Sequence, residues 1–327
     1  MSSLNNNILI ETMDLVKEFE ISGGSFFGKN KPRVHATSNV SIQVKEGETF
    51  ALVGESGCGK STLGRLMLRL IEPTSGHVEF EGVNLNELSS EAMREMRKKM
   101  QIIFQDPYAS INPRMDVYNI IAEPLVTHNV CSSKEETKEK VKELMKRVGI
   151  RPEFINRYPH QFSGGQRQRI GIARALALQP KLIICDEPVS ALDVSIQSQI
   201  LNLLHDLQDE FKLTYLFISH DLSVVRYISD RVCVMFLGKV CEIGKTEEIF
   251  NEPLHPYTKF LIDAVPKPDP FLRKENKELL QGEIPSPVNP PKGCRFHTRC
   301  PYTKTVCKEI EPEMKNIKGR QAACHLL

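Results

Sequence analysis

Short stretches of mostly apolar residues recur along the chain and predict the strands of a sheet. The clearest stretches cover residues 49–53, 101–104, 182–185, 215–219 and 232–237. Strands without polar alternation are typical of a parallel sheet that is covered by helices on both faces. Residues 8–21 predict a first strand or strand pair, and the alternation at residues 40–44 predicts a half-buried strand.

Helical periodicity and capping residues predict the helices between these strands. Ser132 and Ser133 are followed three residues later by Glu135 and Glu136, which forms a capping box, and the apolar helical face behind it ends at Gly149. A further helix is predicted to begin at residues 163–166, and Asp193 can act as the N-cap of another. The alternation of strands and helices indicates an α/β domain with a helical insertion at about residues 106–180.

The composition changes after residue 264. Prolines recur through the following segment, hydrophobic periodicity is lost, and the chain ends in a tail that carries four cysteines. A segment of this kind is typical of an extended linker. We therefore predict a main domain at residues 1–264, followed at residues 265–327 by a proline-rich linker and a small cysteine-rich domain.

Composition and charge narrow the class of protein. The chain has 327 residues, of which 40% are apolar, and this is enough for a substantial core. A net charge of +2 disfavours a basic platform for nucleic acid. No apolar run approaches the length that spans a bilayer, the N-terminus is polar, and five cysteines are scattered through the main domain as in a reducing compartment. These features predict a soluble, cytoplasmic protein that can still dock on a membrane protein.

A glycine-rich loop after the strand at residues 49–53 carries the strongest chemical signal. The loop and the start of the next helix consist of Gly54, Glu55, Ser56, Gly57, Cys58, Gly59, Lys60, Ser61 and Thr62. This matches the phosphate-binding pattern G-x-x-x-x-G-K-[ST] in its strand–loop–helix context. Glycines allow backbone N–H groups to turn toward a phosphate, and the helix N-terminus adds further donors. Lys60 would place a charge at the terminal phosphates, and Ser61 would offer its hydroxyl to Mg²⁺.

A pair of carboxylates at the end of the strand at residues 182–185 is the second chemical signal. Asp186 follows the strand directly and would enter the Mg²⁺ shell. Glu187 is the next residue and could polarise a water molecule for attack on the γ-phosphate. One Asp-Glu pair is weak evidence, but its combination with the phosphate loop is strong.

Further motifs, in order along the chain, resemble those of the ATP-binding cassette (ABC) ATPases. They are Gln105 of a Q-loop, the signature motif Ser163, Gly164, Gly165 and Gln166, a D-loop at residues 190–193 that ends in Asp193, and the switch histidine His220. Phe162 departs mildly from the pattern, since the family most often has leucine there. The resemblance implies a P-loop NTPase cassette with a RecA-like core, an antiparallel β subdomain and a helical subdomain.

The resemblance also implies a composite site between two cassettes paired head to tail. The residues Lys60, Ser61 and Asp186 of one subunit would face Ser163 and Gly165 of the other. A glycine-rich helix start is an anion site, so it could complete the γ-phosphate cage from outside. The partner cassette is either a second, homologous ATPase, which the resemblance favours, or another copy of this chain.

Individual roles follow from the same resemblance. The catalytic residues would be Glu187, His220 and Gln105. Glu187 would be the base, and His220 would stabilise the γ-phosphate and orient the attacking water. The Mg²⁺ ligands would be Ser61, Gln105 and Asp186. An aromatic residue before the first core strand usually stacks on adenine in this family. Phe19 is our choice, Phe26 and Phe27 are rivals, and plain core packing explains Phe19 equally well.

Three segments narrow the resemblance to the ATPases of oligopeptide and dipeptide permeases, with the second ATPase of the pair, the F subunit, as the closer match. They are residues 105–114, 157–163 and 255–258. The chain would then sit at the cytoplasmic face of the membrane and drive two integral-membrane permease subunits with MgATP. An extracytoplasmic substrate-binding protein would take part indirectly, and nucleic acid would not. Two alternatives remain open: a nickel or metallophore importer, and a soluble ABC ATPase without a transport role.

Four cysteines near the C-terminus need an explanation of their own. Cys294, Cys300, Cys307 and Cys324 lie in a tail with few apolar residues for a core. A disulfide does not suit the cytosol. Four thiolates can hold structural Zn²⁺, although the paired C-x-x-C spacing of many zinc modules is missing, and they can equally hold a [4Fe–4S] cluster. Peptide-permease ATPases carry a similar cysteine pattern, and the resemblance implies an iron–sulfur cluster, with zinc as the alternative.

Overall fold

The computed structural model describes residues 7–21, 31–265 and 282–327, which fall into two compact units. The first unit contains residues 7, 45–48 and 87–218, and the second contains the described residues of 8–44, 49–86 and 219–327. The loop predicted at residues 22–33 and the proline-rich linker therefore lie largely outside the described residues.

The helices and strands follow the predicted alternation. The strands are β1 (Ile8–Glu20), β2 (Arg33–Lys45), β3 (Thr49–Val53), β4 (Ser75–Phe80), β5 (Val83–Asn84), β6 (Met100–Ile103), β7 (Leu182–Asp186), β8 (Thr214–Ser219), β9 (Arg231–Phe236), β10 (Lys239–Lys245), β11 (Lys315–Ile317) and β12 (Arg320–Ala322). The α-helices are α1 (Lys60–Met67), α2 (Ser90–Met96), α3 (Val117–Thr127), α4 (Lys134–Arg147), α5 (Gly164–Leu176), α6 (Val194–Phe211), α7 (Leu222–Ile228), α8 (Thr246–Asn251), α9 (Pro256–Ala264) and α10 (Thr305–Glu309).

The first unit is built on three parallel strands in the order β6, β7, β8. Every residue of β7 and β8 is buried. Both faces of these strands are therefore covered, and this is why their apolar residues follow one another without polar alternation. Residues 105–180, all of them described, contain helices α3 to α5 and no strand. The carboxyl end of β7 carries Asp186, and parallel pairing places it beside Ile218 of β8.

The second unit contains two sheets. In one, β3 pairs in parallel with β9, β10 pairs antiparallel with β9, and β12 and β11 add two short antiparallel strands. The other has the order β2-β1-β4-β5, with antiparallel pairing of β1 with β4 and of β4 with β5. The α/β architecture expected for a cassette is therefore present.

An aromatic cluster forms the core of the second unit behind β9. Phe236, Tyr257 and Phe296 are each at most 1% exposed. Their rings meet at centroid distances of 4.8 to 5.3 Å with large interplanar angles, which is a favourable geometry for aromatic pairs. Because Phe296 belongs to the C-terminal tail, this cluster fixes the tail on the body of the unit.

Several elements differ from the sequence-based expectation. The strand or strand pair predicted at residues 8–21 is one long strand, whereas β2 begins at Arg33, well before residue 40. Asp193 occupies the N-cap position of α6, but its side chain makes no capping hydrogen bond. Strand β10 and helices α8 and α9 were not predicted. None of the helices in the described ranges is long and apolar enough to cross a membrane.

Candidate nucleotide-binding site

The glycine-rich loop runs from the end of β3 to the start of α1. Gly54 and Gly59 both have positive φ, of 151° and 103°. A Cβ atom would lie 2.2 Å from the Met235 carbonyl oxygen at Gly54, and 2.1 Å from the Ala36 carbonyl oxygen at Gly59. Backbone atoms cannot move aside as a flexible side chain can. Only glycine therefore fits at these two positions, and the loop owes its path to them.

Lys60 is the first residue of α1 and its side chain spans the loop. It is 4% exposed, and its ammonium donates hydrogen bonds to the carbonyl oxygens of Gly54 at 2.8 Å and Glu55 at 3.1 Å. The positive charge of Lys60 is thus held within the loop by two backbone carbonyl groups. Ser61 and Thr62 follow in the first turn of α1 and are half-buried, whereas Ser56 and Gly57 at the tip of the loop are exposed.

Cys58 lies in the buried part of the loop and behaves as an apolar residue. Burial raises the pKa of its thiol, and the nearby Lys60 ammonium only partly opposes this. The neutral thiol packs close to the loop backbone, since a Cβ atom on Gly54 would come within 2.8 Å of its sulfur. The chemistry of the loop therefore depends on its backbone and on Lys60 rather than on a reactive cysteine.

The carboxylates at the end of β7 have different environments. Asp186 is 3% exposed at the last position of the strand. Glu187 adopts a left-handed conformation with φ of 47°, and its N–H donates to the Ile218 carbonyl oxygen at 3.0 Å. Gln105 donates through Nε2 to Glu187 Oε2 at 2.8 Å. The structure thus brings together two residues that are 82 positions apart and that the sequence placed in separate motifs.

The signature motif forms the start of α5. The Ser163 hydroxyl accepts a hydrogen bond from the Gln166 N–H at 3.3 Å, and the Gln166 side chain accepts one from the Ser163 N–H at 3.1 Å. This is a reciprocal capping box. A Cβ atom on Gly165 would lie 2.4 Å from Cγ2 of Ile196, so a larger residue there would force the Ile196 side chain on α6 to shift.

Three other predicted site residues lie at the ends of elements. His220 is exposed between the end of β8 and Asp221, which caps α7. Asp193 directly precedes α6. Phe19 on β1 is 39% exposed with the Lys17 ammonium 5.0 Å from its ring centroid, so the core-packing explanation for Phe19 is wrong. The rival residues Phe26 and Phe27 lie outside the described residues.

The four C-terminal cysteines line one cavity. Cys294, Cys300, Cys307 and Cys324 share it with His297 and His325. Burial raises the pKa of Cys294 to about 11 and also raises the pKa of Cys300 and Cys324, and neighbouring thiols act in the same direction. Within the described ranges, no group of three histidine, cysteine or acidic residues is placed to hold one metal ion.

Two contacts of the loop were missed by sequence reasoning. Arg299 of the tail forms an ion pair with Glu55, and the Tyr257 hydroxyl accepts the Glu55 N–H. The partners are separated by 244 and 202 residues. No local pattern indicates such pairs, because neither Arg299 nor Tyr257 belongs to a nucleotide-binding motif.

A glycine-rich loop with a buried lysine at a helix start, together with an apolar strand that ends in a carboxylate pair, defines a P-loop nucleoside triphosphatase. The chain matches the family model described as ABC transporter over residues 37–190. It also matches the model described as oligopeptide/dipeptide transporter, C-terminal region, over residues 241–307.

Comparison with individual known proteins narrows the family further. It is 54% identical to the oligopeptide transport ATP-binding protein AppF of Bacillus subtilis, over 100% of this chain and 99% of that protein. It is 51% identical to the oligopeptide transport ATP-binding protein OppF of Escherichia coli, over 97% and 96%. A solved dimeric ATP-binding cassette bound to ADP and phosphate is 30% identical, with a TM-score of 0.64 over 72% of this chain and 98% of that one. The chain belongs to the ATP-binding proteins of the oligopeptide/dipeptide ABC transporter family, and it is an ATPase.

Proposed function

We propose that the chain is the ATP-hydrolysing subunit of an importer that takes up dipeptides or oligopeptides. The similarity to oligopeptide transport ATP-binding proteins carries this proposal, because it extends over the whole chain and includes the C-terminal region. The match at residues 241–307 matters most, since the cassette itself is common to ABC proteins with many cargoes.

The proposed roles of the site residues follow from the resemblance of the motifs to those of ABC ATPases. The loop at residues 54–62 would bind the phosphates, with Lys60 at the terminal ones, and Phe19 would stack on adenine. The Mg²⁺ ligands would be Ser61, Gln105 and Asp186. Glu187 would act as the base, and its hydrogen bond from Gln105 would orient the carboxylate. His220 would steady the γ-phosphate and the attacking water.

The signature motif would act on the ATP of a partner cassette. Ser163 caps helix α5, and the N–H groups of Gly164 and Gly165, which lie outside the capping box, can approach an anion. Asp193 would lie close to the same interface. The partner would be a homologous ATPase or a second copy of this chain. Two membrane permease subunits would receive the motion at the cytoplasmic face of the membrane, and a binding protein outside would deliver the cargo.

Growth of a deletion strain tests the cargo. We expect a strain without this protein to lose growth when di- or oligopeptides are its sole amino-acid source, because cargo uptake needs the ATPase. Growth on free amino acids should stay normal, and the wild-type gene should restore growth on peptides. Normal growth on peptides together with a nickel-dependent defect would contradict the peptide assignment. Co-purification with nucleic acid instead of permease subunits would contradict a transport role.

We propose further that the tail is a small metal-binding domain in which Cys294, Cys300, Cys307 and Cys324 hold a [4Fe–4S] cluster, or alternatively Zn²⁺. The support is that these four thiols line one cavity, and a set of four thiolates suits either group. In their present orientations the side chains do not form a ligand group, so ligation would need rotation of the thiols into the cavity and loss of their protons. A bound cluster or zinc ion would stabilise the fold of the tail, which has few apolar residues to form a core.

Metal analysis tests this assignment independently of ATPase activity. Protein purified without oxygen is expected to be brown, with broad absorbance at roughly 400 nm and about four iron atoms per chain. Cys307→Ser should lose the colour, whereas Cys131→Ser, which removes a cysteine of the main domain, should keep it. A colourless protein with one zinc per chain would replace the cluster by Zn²⁺, and a protein free of both metals would contradict the proposal.

A further inference from the structure

A partly buried ion pair joins the cysteine-bearing tail to the phosphate loop. Arg299 donates through Nη1 and Nη2 to the two carboxylate oxygens of Glu55, at 2.7 and 3.1 Å. The arginine side chain is 7% exposed and the glutamate side chain 21% exposed. A bidentate pair of this kind has a defined geometry and is much less screened than a surface salt bridge. The contact therefore fixes the position of Glu55 and places a compensating positive charge beside its carboxylate.

Glu55 is also fixed through its backbone. Its N–H donates to the Tyr257 hydroxyl at 3.0 Å, and its carbonyl oxygen accepts from the Lys60 ammonium at 3.1 Å. Every polar group of this residue is thus engaged by protein. The side chain is held by the tail, the N–H by α9, and the carbonyl by the lysine that is proposed to bind the terminal phosphates.

The turn that carries Arg299 is itself held firmly. The Arg299 N–H donates to the Phe296 carbonyl oxygen at 3.0 Å, and Phe296 is 1% exposed within the aromatic cluster. Arg295 donates to the carbonyl oxygen of Leu237 and, at 2.8 Å, to the hydroxyl of Ser38. Because the start of the turn is fixed in this way, the guanidinium loses little conformational freedom when it binds Glu55.

The charge of Glu55 creates a problem for a phosphate site. A carboxylate in the loop that wraps a triphosphate repels it, and burial strengthens this repulsion because the effective dielectric constant falls. The guanidinium of Arg299 compensates most of that negative charge and holds the side chain toward the tail. The same contact holds the loop residue in place. Both effects favour nucleotide binding.

We propose that Arg299 is a positioning residue for ATP binding, which acts by neutralising and anchoring Glu55. The inference rests on the proposed role of residues 54–62 as the phosphate loop. It gives the C-terminal tail a direct part in nucleotide affinity, whatever group the cysteines hold.

A double-mutant cycle tests the proposal. In Arg299→Gln the Glu55 carboxylate is left without its partner beside the phosphates, so the dissociation constant for MgATP should rise about tenfold. In ATP hydrolysis, KM for MgATP should rise by a larger factor than kcat falls. The double variant Arg299→Gln/Glu55→Gln should regain most of the affinity, because the repelling charge is gone, and Arg299→Lys should lie between Arg299→Gln and the wild type.

The measurements are MgATP and ADP titrations by calorimetry on the full-length chain, with thermal unfolding of each variant as a check on folding. The affinity of Arg299→Gln for ADP should fall by less than tenfold, because ADP carries less negative charge than ATP. Lys308→Gln, an exposed change in the same tail, is the matched control and should bind as the wild type does.

Two results would overturn the inference: unchanged MgATP affinity in Arg299→Gln, or an equal loss in the single and double variants. The second result would mean that Arg299 only supports the fold. If Arg299→Gln does not fold, the MgATP affinity of Arg299→Lys is compared with that of the double variant Arg299→Lys/Glu55→Gln, and the same two results would overturn the inference. Failure of the wild-type chain itself to bind MgATP would instead contradict the proposed phosphate loop.

Discussion

Replacing Glu187 by glutamine is expected to leave MgATP binding intact and to lower steady-state ATP hydrolysis by about two to three orders of magnitude. Glutamine has nearly the same shape, and its side-chain oxygen can still accept the hydrogen bond that Gln105 donates at 2.8 Å. The local geometry is therefore retained while the base is lost. The change isolates the chemical step from binding.

Phosphate release and nucleotide affinity, measured on the same preparation, check this expectation. Glu153→Gln is a suitable control because Glu153 is an exposed glutamate of the same unit. It should hydrolyse ATP at the wild-type rate. Unimpaired turnover in Glu187→Gln would exclude Glu187 as the base and would direct attention to another group near the γ-phosphate.

Lys60→Ala is expected to weaken MgATP binding by about two orders of magnitude, which corresponds to roughly 2.7 kcal/mol. The change removes a positive charge that the loop holds almost completely buried, at 4% exposure. It also removes the donor shared by the carbonyl oxygens of Gly54 and Glu55, so the path of the loop loses support. Hydrolysis should fall with binding.

Calorimetric titration with MgATP measures the effect, and thermal unfolding shows whether the variant still folds. Lys146→Ala, which changes an exposed lysine on α4, should bind nucleotide normally. Wild-type affinity in Lys60→Ala would contradict the phosphate loop itself. The two variants differ in kind, since Lys60→Ala should lose ATP whereas Glu187→Gln should retain it.

The parts of the fold that sequence reasoning predicted well are those with strong local patterns. The buried strands β3, β7 and β8 lie within a residue of their predicted positions, because unbroken apolar runs of this length suit a covered parallel sheet. Helix α4 begins where the capping box predicted, with the Ser133 hydroxyl accepting the Glu136 N–H at 3.1 Å.

The parts that were missed have weak local patterns. Strand β10 includes Glu242, which is completely buried. Its carboxylate accepts the N–H groups of Leu254 and His255 at 2.9 Å each, and these hydrogen bonds offset the cost of burial. A buried charge in a strand is compensated only by residues that approach from elsewhere in the fold. The single-sequence pattern therefore gave no reason to place a covered strand there.

The sequence by itself determined the class of the site. The order of its motifs, from the loop at residues 54–62 through Gln105, Ser163 and Glu187 to His220, identified the cassette, because a phosphate loop is a contiguous chemical unit that short-range sequence encodes. It also showed four cysteines crowded into a short tail, although it left open what they hold.

Only the tertiary structure decided how the tail meets the loop. The Arg299 guanidinium and the Glu55 carboxylate come from positions 244 residues apart, and their pairing depends on the packing of Phe296 against β9 and α9. Contacts of this kind arise from the summed geometry of many elements and leave no periodic trace along the chain. The glycines and Lys60 of the loop were evident from the sequence, whereas the residue that holds its acidic side chain was not.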